Sequence, residues 1–232
     1  ILQGRFAQAI DALESDLAHD LMSGEQNRRQ IRRIWLAYLY WLTDSPHRAV
    51  PHVAEILKLP AVPVYLQQFR EAGLVGLSVG DSGAVEKAAE ILRRISEKWP
   101  STHSRGAFLH SQGAALEGRA TGGDAARESL VQARGLWPDP LTLHTVGEIE
   151  LRAERWGAAK AVSEEIEKQR GRIFKHLFPG LFTLNQIRHA KSLAGMSRWS
   201  EALRMYQQIV DNWHAEAMTY RLGRSVRDEY EK

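Results

Sequence analysis

An alanine that opens an amphipathic segment recurs along this chain at Ala9, Ala49, Ala88, Ala126, Ala159 and Ala202, at successive intervals of 40, 39, 38, 33 and 43 residues. The segments read GRFAQAIDALESDL, SPHRAVPHVAEILKLP, GAVEKAAEILRRISEKWP, GGDAARESLVQARGLWP, ERWGAAKAVSEEI and SRWSEALRMYQQIV. Self-similarity at such a period marks supersecondary units stacked in a row. One helix pair cannot bury both of its apolar faces. Stacking pairs buries a continuous ribbon of core, and small residues at crossings let helix axes approach closely. The recurrence therefore predicts about six copies of one unit.

The units read as helical. In SEALRMYQQIV, Ala202, Leu203, Tyr206, Ile209 and Val210 follow the stripe of a helix with one buried face, and either Ser200 or the preceding Arg198–Trp199 begins it. LVGLSVG at 74–80 alternates in part, but its glycines and its helical neighbours predict a helix there too. The tail AEAMTYRLGRSVRDEYEK reads as one final helix with Met218, Leu222 and Val226 on one side. The predicted organisation is a repeat array over 1–214 followed by a capping helix over 215–232. The seven tryptophans are expected to pack, since large aromatics dominate core energetics.

These copies resemble the tetratricopeptide repeat, a pair of antiparallel helices with a period of about 34 residues. Twelve residues after the recurring alanine come Pro100 and Pro138, where that family closes its unit. Twelve before it come Gly76 and Gly147, where the family prefers glycine. Large residues follow by four at Leu92, Leu130 and Tyr206, and aromatics precede by three at Phe6, Trp156 and Trp199. The resemblance implies an all-α fold, a right-handed α–α superhelix, and a concave face that holds a peptide or protein. The family's groove-facing positions fall on Glu148 and Arg152 in the fifth unit and on Lys191 and Gly195 in the sixth, with His144 on the same line. The family's carboxylate clamp of Asn and Lys across consecutive units is not matched.

Charge points to a second candidate surface. Net charge is +3, and the whole excess lies in 141–232. Residues 168–200 hold Lys168, Arg170, Arg172, Lys175, Arg188, Lys191 and Arg198 and no acid. Within 168–191 these alternate with Phe174, Leu177, Phe178, Leu181 and Phe182. Basic residues at helix ends and core-filling aromatics account for this pattern. A basic, aromatic-lined patch for an acidic partner is the functional alternative.

No catalytic constellation emerges. GDSG at 80–83 matches the tetrapeptide around a serine-protease nucleophile, but no β-barrel pattern surrounds it, and Asp81 and Gly83 read as a turn between helices. His47 and His52 flank Pro51 and share no face; Glu150 and Glu154 read as part of a solvated, salt-laced helix. RRQIRR at 28–33 lies among Asp16, Asp20 and Glu25 and reads as a charged outer face. The chain has no cysteine, which excludes thiolate chemistry and disulfides, and no run long enough to span a membrane. No cofactor or metal is expected, and the near-neutral first 140 residues speak against a nucleic-acid track.

The reading is a non-catalytic, cytoplasmic protein-binding scaffold for a protein or peptide, acidic by preference. Its candidate binding residues are His144, Glu148, Arg152, Arg170, Arg172, Lys175, Arg188 and Lys191. A second expectation comes from RWSEALRMYQQIVDNW, which resembles the end of repeat regions behind bacterial Ser/Thr kinases and transcriptional regulators. On that reading the chain is the regulatory part of a larger signalling protein.

Overall fold

The structure is a computed structural model that describes residues 4–23, 26–118, 123–213 and 215–231, with side chains 23, 26, 27, 175, 176 and 216 left out. Among the described residues every regular element is helical. The chain divides into two compact units, Gln8–Pro138 and Asp139–Lys232 with Ile1–Ala7.

The first unit holds α1 (Phe6–Ser23) from Gln8 on, α2 (Gln26–Leu42), α3 (Pro46–Ile56), α4 (Leu66–Val79), α5 (Ser82–Lys98), α6 (Thr102–Glu117) and α7 (Gly123–Leu136). Helices α2 and α3, α4 and α5, and α6 and α7 pack as pairs. Each pair's second helix touches the next pair's first, and the first helices α2, α4 and α6 touch in turn. Ala49, Ala88 and Ala126 sit fully buried on the second helices. Twelve residues earlier, on the first helices, stand Ala37, Gly76 and Ala114, also buried. At Gly76 a Cβ would lie 3.0 Å from that of Ala84, so the small residue sets how closely α4 and α5 approach.

Helix ends follow local chemistry. Gly80 ends α4 in the left-handed conformation, and the Asp81 carboxylate accepts from the Ala84 amide at 3.0 Å to start α5. GDSG is therefore a helix–helix turn; α5 starts at Ser82, so Gly83 already lies in its first turn. α3 runs unbroken through Pro51. α1 meets α2 through charge. Arg32 pairs with Asp16 at 3.4 Å and with Asp20, and the Tyr40 hydroxyl donates to Glu14, which also takes Arg48 at 2.8 Å. Ala9 is only half-buried, unlike the other five recurring alanines, while Ile10 takes the core position.

The second unit holds α8 (Pro140–Arg152), α9 (Trp156–Lys168), α10 (Arg170–His176), α11 (Gly180–Gly195), α12 (Trp199–Asn212) and α13 (Arg221–Tyr230). α8 pairs with α9 and α11 with α12; α11 also packs on α8 and α9. Ala159 and Ala202 are buried on the second helices, with Gly147 and Ala190 twelve residues earlier on the first. The short α10 is what lengthens this interval to 43 residues. The tail is two pieces rather than one helix: a 3-10 stretch at Ala215–Thr219, then α13, with Tyr220 in extended conformation between them. At Gly223 any Cβ would collide with the backbone of Ala217 and Met218, so this glycine lets the two pieces fold together. Phe6 packs edge-on against Trp213 at 5.8 Å and near Tyr220 at 6.0 Å.

One tryptophan does not pack as expected. Trp156 lies over the C-terminal end of α11, where a Cβ on Gly195 would come 2.6 Å from its Cε2. Trp199 holds the same place at the start of α12 but is 59% exposed, with Leu203 and Met196 also exposed. Among the described residues no glycine meets Trp199 as Gly195 meets Trp156. The chain instead turns into α13, which packs against α12.

Candidate functional site

Helix α8 brings His144, Glu148 and Arg152 to one face at spacings of four, one above another along the helix. Helix α11, packed against α8, brings Asn185, Arg188 and Lys191 at spacings of three. Where the two meet, Arg188 is 1% exposed. This position belongs to the buried stripe of α11, Leu181, Leu184, Arg188 and Ser192, and so faces inward.

The Arg188 guanidinium ties three helices. Its Nε donates to Ser163 Oγ of α9 at 3.2 Å, and Nη2 donates to Asn185 Oδ1. Nη1 donates to the His144 backbone oxygen at 2.9 Å and lies 3.2 Å from His144 Nδ1. Glu148 Oε1 completes the set at 3.4 Å from Nη1. Asn185 Nδ2 donates in turn to the Ser163 backbone oxygen at 3.1 Å, which fixes its amide orientation. Room for the guanidinium comes from Gly147: a Cβ there would lie 2.6 Å from Arg188 Cζ and Nε.

Electrostatics follow from this geometry. Burial, with the Arg188 and Arg152 charges, pushes the His144 imidazole down to about 4, against the opposing pull of Glu148. A guanidinium can only donate, so neutral His144 accepts at Nδ1 and carries its proton on Nε2. Burial pushes the Glu148 carboxyl up, but Arg188, His144, Arg152 and Lys191 together outweigh it and hold the group below its ordinary value. One carboxylate thus lies within the field of three cations.

His144 gives the unit an acid sensitivity of definite sign. Below about pH 6.5 the unfolded chain takes up a proton that folded His144 refuses. Its contribution is complete above that pH and is lost as pH falls toward 4. Replacing His144 by glutamine, whose amide oxygen can accept in place of Nδ1, should recover about 1–2 kcal/mol of the stability otherwise lost between pH 7 and pH 5. Urea unfolding at both pH values measures this. Part of the loss should persist, because burial and Arg33 also push His52 of the first unit down to about 4.

The residues expected to form one surface separate. Arg152 is exposed and Lys191 half-exposed, both around Glu148. Arg188 belongs to the interior. Arg170 and Arg172 are exposed on α10, where Arg172 donates to Gln169 at 3.0 Å; among the described residues neither is in hydrogen-bond or ion-pair contact with the α8–α11 group. The Lys175 side chain lies outside the described set. Glu150 is buried and pairs with Arg155 across the turn after α8, rather than standing on a solvated face. Ser163 and Asn185 are not among the expected residues. For Asn185 alone the sequence carries a signal: it lies three residues before Arg188 on the inward face of α11, whose other members are apolar or small.

Among the described residues no group of three or more His, Asp or Glu could hold a metal ion, and no helix is long and apolar enough to cross a membrane. No protein-family model, curated protein or solved structure matches this chain.

Proposed function

We propose that this chain is a non-catalytic binding module of tetratricopeptide-like design, its helix pairs continuing as a right-handed superhelix, and that it holds an acidic peptide or protein segment against the face formed by α8 and α11. The repeated small-residue pairs support the repeat reading: Ala49 with Ala37, Ala88 with Gly76, Ala126 with Ala114, Ala159 with Gly147 and Ala202 with Ala190. The binding reading is carried by one observation. Arg152 of α8 and Lys191 of α11 reach the surface and act on a carboxylate already paired with buried Arg188. Two cations at the surface therefore share their field with one half-open acid, a combination suited to carboxylates.

Reversing both charges, Arg152→Glu with Lys191→Glu, should weaken binding of a fluorescent hexaglutamate peptide by about ten-fold or more at low salt, the size expected when two rim charges change sign. The parent chain should lose affinity steeply as salt rises. Fluorescence anisotropy reads both. Equal affinities for parent and double variant would rule the surface out. Reversing Arg172 on α10 should leave the affinity unchanged.

A further inference from the structure

The set of partners around Arg188 contains an asymmetry. Ser163 Oγ, Asn185 Oδ1 and the His144 backbone oxygen are neutral acceptors, and they hold the guanidinium from three helices. The single carboxylate, Glu148, stands at 3.4 Å, longer than a charge-assisted hydrogen bond of about 2.7–2.9 Å. Glu148 is also one-third exposed, whereas Ser163, Asn185 and Arg188 are buried. The neutral frame keeps Arg188 in place whether or not Glu148 is there. The counter-ion alone is loosely held, and it reaches Nη1 from the side open to solvent.

We infer that Glu148 is an internal stand-in for the partner's carboxylate: it rests against Arg188 in the unbound chain, and an acidic side chain of the bound peptide takes its place while Glu148 swings outward. This rests on the proposed binding face and names how that face is regulated. Arg152 and Lys191 draw the peptide in, and Glu148 sets the threshold. Only a ligand whose carboxylate meets Arg188 better than the 3.4 Å internal contact displaces it. Acidic peptides are thereby favoured over isolated anions, because the extra contacts with Arg152 and Lys191 must offset the loss of the internal pair.

The test compares hexaglutamate binding by the full chain, by Glu148→Gln and by Glu148→Asp, with circular dichroism reporting the fold of each. Glutamine keeps the shape and removes the competing charge, so Glu148→Gln should bind the peptide at least ten-fold more tightly than the parent. Aspartate keeps the charge on an arm one methylene shorter, farther from Nη1, and should bind about three-fold more tightly. If Glu148→Gln lost its fold, the aspartate variant alone would decide the matter. Binding no tighter than the parent by the folded variants would overturn the stand-in role. If the Arg152→Glu, Lys191→Glu double variant still lost its affinity, the binding face would survive that result and only the role of Glu148 would fall.

Discussion

Arg188→Ala should lower the free energy of unfolding by about 3–5 kcal/mol, the cost of breaking a buried charge network by removing one member. The loss has three sources. Ser163 loses the Arg188 donor that joins α9 to α11 and Asn185 its donor within α11, His144 loses the one that joins α8 to α11, and a cavity opens beside Gly147. Lysine should not rescue the site, since a point charge on a flexible stem cannot serve Ser163, Asn185 and the His144 carbonyl together. Lys191→Ala, one helical turn along and half-exposed, should change stability by no more than about 0.5 kcal/mol. Urea denaturation of the three variants separates a keystone arginine from a surface one. Equal midpoints for Arg188→Ala and Lys191→Ala would place the guanidinium in solvent.

The second large effect is a reversal of sign in the first unit. Alanine in place of glycine inside a helix ordinarily stabilises by about 1 kcal/mol. At Gly113 it should destabilise instead, by about 1–3 kcal/mol, the range for overpacking a filled core. A Cβ there would lie 2.5 Å from Leu130 Cγ and 3.1 Å from the Ala126 backbone oxygen, both across the α6–α7 contact. Neither atom can give way, because Leu130 is buried and the other is backbone. Gly135, in α7 itself, meets nothing within 4 Å, so Gly135→Ala should stabilise by roughly 0.5–1 kcal/mol. Opposite signs for two Gly→Ala changes on one helix pair would show that close approach, rather than intrinsic helix preference, governs Gly113.

The recurring alanines made the helix pairs legible because a small residue at a crossing has no substitute. Five of the six are fully buried where expected, and each has a small partner twelve residues earlier. Ala9 imitated the spacing without the role, since spacing alone does not say which residue of a helix meets a neighbour. The tail reads as one helix in sequence because its apolar residues keep helical phase across Thr219; the extended Tyr220 and the crowding at Gly223 are three-dimensional facts. Trp199 is expected to pack because large aromatics dominate core energetics, yet packing depends on what the following chain covers, and Trp199 stays exposed although α13 packs on α12.

The candidate site was legible in part for the same reason. The resemblance to the tetratricopeptide repeat implies one groove-facing line through His144, Glu148 and Arg152, with Lys191 at the matching position of the next unit. Charge alone grouped Arg188 with Arg170 and Arg172, because a run of basic residues does not show which face each one takes. Reading α11 as a stripe through Leu181, Leu184 and Ser192 puts Arg188 inside, and Gly147 supplies the space it needs. Ser163 was silent in the sequence, since a lone serine on a helix gives no sign that it will meet an arginine 25 residues away.

The most direct test of the binding account is a backbone amide NMR titration of the chain with unlabelled hexaglutamate. The largest shift changes should fall along α8 and α11, centred on Glu148, Arg152 and Lys191, with α10 and the first unit little changed. Changes centred on Arg170 and Arg172, or none at a peptide concentration that saturates the anisotropy signal, would contradict it.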